Sequence, residues 1–250
     1  HDSNPIKIGL GKVKGRGKRV VSVNPVQTGY GAISDDWYGI TPGTDGLLIL
    51  SLIRELMRSG NIDVDYLRRY TNAPWLVIRN PGAANDGLFL RDSDGEPQVI
   101  DRSTGEAISH KTKNISTAMN GEIIVDGGGV AMPAFVLMTE TYMDDAYAPE
   151  AVANTVGISA KRIRQFAADL AEAAFAKEVV INQPWTDWKG EKHKTMVGRP
   201  VSMHSMRGIS AHSNGFQTCR ALHVLQLMLG SIEVPGGWRF KPPYPKPPEA

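Results

Sequence analysis

Cysteine is nearly absent, for the 250 residues hold only Cys219. That excludes an internal disulfide, and it equally excludes an iron–sulfur cluster or a cysteine-rich zinc site built by this chain alone. Cys219 falls beside the apolar helical pattern Arg220-Ala221-Leu222-His223-Val224-Leu225 and reads as a buried structural thiol. Charge of one sign is also lacking. A formal net charge of +2 is too small to argue for nucleic acid, and no basic run is interleaved with aromatics. The densest basic stretch, Lys12, Lys14, Arg16, Lys18 and Arg19, precedes a strand and reads as a solvated helix end. No apolar run is long enough to span a membrane, and neither a signal peptide nor direct membrane insertion is expected.

Other absences narrow the chemistry. The six histidines lack the i, i+4 pairing of a helical metal site, so no metal held by protein groups alone is inferred. A Gly-x-Gly-x-x-Gly fingerprint after a strand is missing, which counts against a nicotinamide dinucleotide domain. Ser202, Ser205, Ser210 and Ser213 lie near histidines, but no Gly-x-Ser-x-Gly elbow surrounds them, so a hydrolase triad is unsupported.

What is present is an ordinary globular composition: 41% apolar and 22% charged residues, enough to bury a core. The chain starts at His1 and closes in a proline-rich run, so both ends are expected to be cuts within a longer protein. Asn4, Pro5, Ile6, Ile8, Leu10 and Val13 predict a helix over 4–15. Arg19-Val20-Val21-Ser22-Val23 is short and β-branched, which suits a buried parallel strand. A loop follows to Pro42, and Leu47, Leu48, Leu50, Leu52, Ile53, Leu56 and Met57 recur at helical spacing up to Gly60. Asp63 to Tyr70 predicts another short helix, and Trp75 to Ile78 a strand. Residues 79–132 change character, rich in Gly, Asp, Ser, Thr and Asn, and end in the hairpin pattern Glu122–Val125, Asp126–Gly129, Val130–Met132. Helices resume over 134–142, 149–156 and 159–174, the last capped by Ser159, and Glu178–Ile181 reads as a second buried strand. A loop with Trp185 and Trp188 leads to a helix over 215–229. The expected fold is α/β: a doubly wound, mostly parallel sheet flanked by helices, with a β-rich insertion. One α/β domain is expected to fill 1–250, with a first α/β part at 1–78, the insertion at 79–132, a second α/β part at 133–238 and an extended tail at 239–250.

Three constellations stand out. Asn24-Pro25-Val26-Gln27-Thr28 ends the first strand, and ligands bind beyond the carboxyl ends of strands in open α/β sheets. Taken alone it is more often just a turn. Pro42-Gly43-Thr44-Asp45 opens a helix whose amides favour an anionic or acceptor group. A carboxylate there can accept two parallel bonds from a guanine's N1–H and amino group, or Asp45 simply caps the helix. Met206-Arg207-Gly208-Ile209-Ser210-Ala211-His212-Ser213-Asn214-Gly215 opens the last helix, with small residues around Arg207 and His212 that permit close approach of a bulky ligand. A lone histidine before a helix is more often a capping or core residue than a catalytic one.

In this order the segments resemble the molybdopterin oxidoreductase family that includes dimethyl sulfoxide reductase, formate dehydrogenase and periplasmic nitrate reductase. The resemblance rests on Asn4-Pro5, Val20–Thr28, Pro42–Gly46 with its helix, and Gly157-Ile158-Ser159-Ala160 with Ile163. The series Gly208, His212–Gly215, Leu229–Ile232 and Pro235–Gly237 completes it. It covers nearly the whole chain outside 79–132. It implies that Asn24, Pro25, Val26, Gln27 and Thr28, with Gly43, Thr44 and Asp45, contact the guanosine end of a molybdopterin guanine dinucleotide. Asp2 and Ser3 would lie by a phosphate-binding loop, Arg207 and Ala211 close to the pterin and metal, and His212 beside them. Many relatives carry an acidic residue in place of Asn24, and some a Gln in place of Ala211. An amide can still bond a ribose, whereas Ala211 removes a polar group near the pterin.

The resemblance further implies a molybdenum bis(molybdopterin guanine dinucleotide) and a [4Fe-4S] cluster in the parent protein, with the metal ligand, the cluster motif and a C-terminal domain outside this chain. Asn72–Trp75, the loop Trp185-Thr186-Asp187-Trp188 and the tail Phe240–Pro245 look most like cytoplasmic, membrane-attached sulfite dehydrogenases, with polysulfide and thiosulfate reductases as close relatives. The implied partners are the remaining domains of the same subunit, an iron–sulfur electron-transfer subunit and a membrane anchor subunit. The implied location is the cytoplasm, with membrane attachment through those partners. The isolated chain is expected to be inactive. A different class of reading is a non-enzymatic scaffold or interaction domain that kept the fold and lost the cofactor, for which the residues at 24 and 211 give some footing.

Overall fold

The computed structural model describes residues 4–187, 190–205 and 207–238, the side chains of 4–7 and 30 excepted. The first helix, α1, is Asn4–Gly15, as its Asn-Pro start predicts. Strand β1 (Val21–Val23) is joined to β2 (Asp36–Tyr38) through a short helix, α2 (Tyr30–Ile33). The two strands pair in parallel, Val21 opposite Asp36 and Val23 opposite Tyr38. The stretch from Asn24 to Pro42, expected as loop alone, therefore contains two regular elements. Helix α3 (Asp45–Arg58) buries Leu48, Leu52, Ile53 and Leu56 of the predicted set and Ile49 besides, while Leu47, Leu50 and Met57 are half-buried. It stops at Gly60, whose φ of +70° lets the Asn61 amide reach back to the Leu56 carbonyl at 2.9 Å. Helix α4 (Val64–Tyr70) starts with the Asp63 carboxylate accepting from the Tyr66 amide at 2.9 Å.

The insertion is built as hairpins. Strands β3 (Leu76–Arg79), β4 (Gln98–Ile100), β5 (Ala107–Ser109), β6 (Ile123–Ile124) and β7 (Val130–Pro133) pair antiparallel, β4 with β5 and β7 with both β3 and β6. The pairing of β3 with β7 closes the base of the 79–132 segment. Leu76, Ile78, Ile100, Ala118 and Ala131 form its buried cluster. Helices α5 (Ala134–Tyr142), α6 (Pro149–Val156) and α7 (Ala160–Ala171) match their expected spans, α7 running on into a π-helical turn, Glu172–Ala176. Strands β8 (Val179–Ile181), β9 (Trp185–Thr186), β10 (Lys192–His193) and β11 (Met196–Gly198) precede the last helix, α8 (Gly215–Met228).

Helix and sheet are mixed as expected, but the sheet differs from the expectation. Among the described residues the strands form small separate sheets, and only β1 with β2 is parallel. Strand β8 meets antiparallel β11, which the segment after Ile181 supplies by folding back. Nor is β8 buried: Val179, Val180 and Ile181 are 41%, 52% and 37% exposed. Cys219 is half-buried rather than enclosed, because it lies on the flank of α8 and not on the stripe of Ala221, Leu225 and Met228. The proline-rich tail lies outside the described residues.

The chain divides into two compact units. The first comprises His1–Glu55, Asp145–Asp169 and His204–Leu225; the second comprises Leu56–Asp144, Leu170–Met203 and Gln226–Ala250. In the first, Tyr38 stacks on Phe166 at 4.6 Å and Arg162 lies over the Tyr38 ring at 4.3 Å, fixing β2 against α7. In the second, Arg199 bonds Asp63 and Glu178 and lies 5.0 Å from the Phe175 ring. No described helix is long and apolar enough to cross a membrane.

Candidate functional site

The described residues of all three constellations belong to the first unit. Thr41 to Thr44 form a tight turn, with the Thr44 amide donating to the Thr41 carbonyl at 3.2 Å and Gly43 at φ +81°. Proline second and a left-handed glycine third is the type II signature. The Thr44 hydroxyl also donates to the Thr41 carbonyl, at 2.7 Å, so it steadies the turn instead of capping an amide. The turn is held from behind by the Thr41 amide, which donates to Val156 at the end of α6 at 3.0 Å. A side chain at Gly157 would crowd Thr41, its Cβ lying 3.0 Å from the Thr41 hydroxyl. The first helical bond of α3 runs from Leu48 to Thr44, so the amides of Asp45, Gly46 and Leu47 have no partner within the helix. Their partial positive charge and the half-buried Asp45 carboxylate sit at one helix end.

Asn24 to Thr28 is exposed throughout and leaves the end of β1. The Asn24 amide donates to the Tyr38 carbonyl at 3.1 Å, and its carbonyl accepts from the Trp37 indole at 2.8 Å. The Asn24 side-chain oxygen accepts from the Val26 amide at 3.1 Å, an Asx turn that arches the loop away from the strand. Asp35 closes the same crossover by accepting from the Val20 amide at 2.8 Å. That bond, and then Lys14, hold its carboxyl below the ordinary carboxylate range. The Asp169 and Asp36 carboxylates beside Arg19 hold its guanidinium above its ordinary value.

Arg207, Ala211 and His212 are exposed in a 3₁₀ turn, Arg207–Ser210, and the bend after it. The Gly215 amide donates to the His212 carbonyl at 2.9 Å, and a Cβ at Gly215 would lie 2.1 Å from the Ser210 carbonyl oxygen. Only glycine fits there. The His212 ring comes to the turn before α3: a Cβ on Gly43 would lie 3.8 Å from His212 Nδ1. Behind this apposition, α3 and α8 approach closely, since a Cβ on Gly46 would lie 2.8 Å from the buried Thr218 hydroxyl. The second and third constellations therefore meet, through Gly43 and His212, while the first stands at the end of the β1–β2 pair. Asp2 and Ser3 lie outside the described residues.

The residues that sequence reasoning passed over are those behind the loops: Trp37, Thr41, Arg162 and Thr218. Arg162 donates to the Trp37 carbonyl at 2.9 Å. The one available signal was Asp36-Trp37-Tyr38, an aromatic pair with strand propensity. Among the described residues, Asp187, Glu191 and His193 also bring ligand-type atoms together, in the β9–β10 hairpin of the second unit. The Asp187 carboxylate accepts from the Glu191 amide at 2.9 Å and meets His193 Nε2 at 3.0 Å, while His193 stacks on Trp185 at 4.6 Å and faces Arg69 at 3.5 Å. Those bonds organise the turn.

No family model matches the chain. Individual proteins do. The chain is 42% identical over 256 residues to a sulfite dehydrogenase subunit of Allochromatium vinosum, covering 99% of this chain and 26% of that protein. It is 24% identical over 226 residues to the formate dehydrogenase major subunit of Haemophilus influenzae, covering 90% and 19%. The chain belongs to the molybdopterin oxidoreductase family. It spans about a quarter or less of the length of these relatives. Acetylene hydratase from Pelobacter acetylenicus shares the fold at a TM-score of 0.50 and 16% identity, over 89% of this chain and 18% of that one. The scaffold reading finds no support, since the matched relatives are dehydrogenases and reductases by name.

Proposed function

We propose that this chain forms the guanosine-binding part of a molybdopterin guanine dinucleotide site in the catalytic subunit of a molybdenum oxidoreductase. The observation that carries the reading is the apposition of the Gly43 turn and His212 at the open end of α3, with a glycine where a side chain would enter the gap. The chemistry of the groups fits a guanine. Asp45 offers two acceptor oxygens of the kind that N1–H and the amino group of a guanine require, and the α3 amides favour electron-rich atoms. Asn24 to Thr28 would bond the ribose, and Arg207, Ala211 and His212 would border the pterin, with Asp2 and Ser3 toward the phosphates.

When bound, the cofactor supplies oxygen-atom and two-electron chemistry at its metal. The chain's own residues orient the dinucleotide and hold it against exchange with water. The metal ligand and a [4Fe-4S] cluster would come from elsewhere in the subunit, where the short strands would also join a doubly wound, mostly parallel sheet. The substrate would be a small inorganic sulfur compound such as sulfite, as the name of the Allochromatium relative suggests. An iron–sulfur subunit and a membrane anchor would complete a complex on the cytoplasmic side of the membrane.

Asp45→Ala in the full-length catalytic subunit tests the assignment. Guanine nucleotide released on acid extraction should fall at least about tenfold, since both charge-assisted bonds to the base are lost. Removing a helix-start carboxylate alone costs about 1 kcal/mol of stability. Unchanged guanine content with only that small destabilisation would show that Asp45 merely caps α3.

A further inference from the structure

The β9–β10 hairpin gathers three metal-ligating side chains on one of its faces. The register sets His193 opposite Trp185 and Lys192 opposite Thr186. The next pair is Glu191 and Asp187, joined by the Asp187 amide donating to the Glu191 carbonyl at 2.9 Å. Side chains alternate along a strand, so Trp185, Asp187, Glu191 and His193 share one face while Thr186 and Lys192 take the other. No helical i, i+4 spacing is needed, because the ribbon brings these residues together across its two strands. One ligand-type atom from each of Asp187, Glu191 and His193 lies within 4.8 Å of the other two.

Two of the three are held in place. The Asp187 side chain is 1% exposed and that of His193 16%. Asp187 Oδ1 accepts from the Glu191 amide at 2.9 Å, and Oδ2 meets His193 Nε2 at 3.0 Å. Trp185 stacks on the imidazole at 4.6 Å and fixes its plane. Ligands at about 2.0–2.1 Å from a tetrahedral zinc stand about 3.3 Å from each other, so this pair needs to open only slightly. Glu191 is exposed and brings the third ligand from the solvent side, where water can take the fourth position. One imidazole with two carboxylates suits a first-row transition ion, whereas calcium and magnesium take oxygen ligands.

We propose that Asp187, Glu191 and His193 bind a zinc ion that staples β9 to β10, and that Arg69 of α4 weakens the site. Arg69 faces His193 Nδ1 at 3.5 Å. With zinc on Nε2 the imidazole proton sits on Nδ1, and a ligating histidine donates that proton to an acceptor. A guanidinium has donors only, and its charge repels the ion. Arg69 must therefore turn away from Nδ1, toward the Tyr70 hydroxyl that it also bonds. Glutamine in its place removes the charge and supplies an acceptor oxygen.

Zinc chloride added to the full-length catalytic subunit, then dialysed away, tests the site by metal analysis and zinc X-ray absorption. One zinc per subunit should remain, with nitrogen and oxygen neighbours at about 2.0–2.1 Å and no sulfur at about 2.3 Å. Asp187→Asn, Glu191→Gln and His193→Gln should each weaken binding at least about tenfold, and Arg69→Gln should tighten it about tenfold. Asparagine keeps an acceptor for the Glu191 amide, and position 191 is exposed, so these two changes leave the hairpin folded. No retained zinc, zinc retained equally by all three ligand variants, or a shell containing sulfur overturns the proposal. Weaker binding in Arg69→Gln overturns the part assigned to Arg69. Molybdenum and guanine contents of the same preparations report on the cofactor reading, on which the zinc site does not depend.

Discussion

The loops at the ends of β1 and α3 differ from the insertion between β3 and β7 in where their polar groups are satisfied. The insertion closes on itself. Asp92 accepts from the amides of Asp94 and Glu96, Asp101 accepts from the Ser103 amide and hydroxyl, and Glu96 meets His110 and Lys111. The Lys111 and His110 bonds hold the Glu96 carboxyl below its ordinary range. Its apolar residues also find their own cluster, around Leu76 and Ala131. The first unit differs at α3: Asn24 to Thr28 is exposed but bonded to Tyr38, Trp37 and within itself, whereas the amides of Asp45, Gly46 and Leu47 have no partner within the helix. A segment that satisfies itself needs no ligand. One that holds donors and acceptors outward, on a backbone fixed from behind by Trp37, Thr41 and Arg162, is built to meet something.

The sharpest way to break this contrast is to empty the insertion's cluster. Leu76 is fully buried, and Leu76→Ala should cost about 2–5 kcal/mol in denaturant unfolding. Ile124, 87% exposed in the same module, should change stability by no more than about 0.5 kcal/mol when replaced by alanine. Equal costs at the two positions would mean that the insertion has no core of its own. On the other side of the comparison, Gly43→Ala forces a side chain into φ +81° and should cost about 1–2 kcal/mol. Its larger signature should be in the full-length subunit, as lost guanine content, since the new methyl enters the gap facing His212. A stability loss with guanine content intact would move the ligand away from that gap.

The same contrast explains what could be read without coordinates. Helices declared themselves: the Leu48–Leu56 stripe, Pro149 at a first turn and Ser159 before Ala160 are local signals, and α5 and α6 have their expected ends. The hairpin of β6 and β7 was equally plain, because its glycines adopt the positive φ that its turn needs. The sheet was not legible. Val179-Val180-Ile181 carries the composition of a buried strand, but burial depends on residues distant in sequence, and among the described residues only β11 pairs with it. For the site, the Pro42–Asp45 turn could be recognised from proline and glycine alone. Its meeting with His212 could not, because nothing local encodes a contact between residues so far apart along the chain.

The smallest expected effect compares two tyrosines. Burial raises the pKa of Tyr38 in the first unit, with Asp169 adding to the rise and Arg162 over its ring opposing it. Burial also raises Tyr66 in the second unit, from 10.0 up to about 12, and Tyr70 and Asp63 add to that shift. The Tyr66 hydroxyl donates to the Ile232 carbonyl at 3.1 Å, tying α4 to the segment after α8. A phenol whose pKa is raised by folding stabilises the native state fully below its unfolded pKa, and that contribution is lost as pH rises through the folded value. For Tyr66 the window runs from 10.0 to about 12. Tyr66→Phe should therefore cost about 1 kcal/mol at neutral pH, the worth of one hydrogen bond. It should also remove the most alkali-resistant step from a tyrosinate absorbance titration. Stability curves of the variant and the parent should meet above pH 10 and cross before pH 12, because ionisation over that window removes more than the ~1 kcal/mol of the bond. If the late step survives in Tyr66→Phe, the resistant phenol is instead Tyr38 or Tyr70, both of which burial also raises.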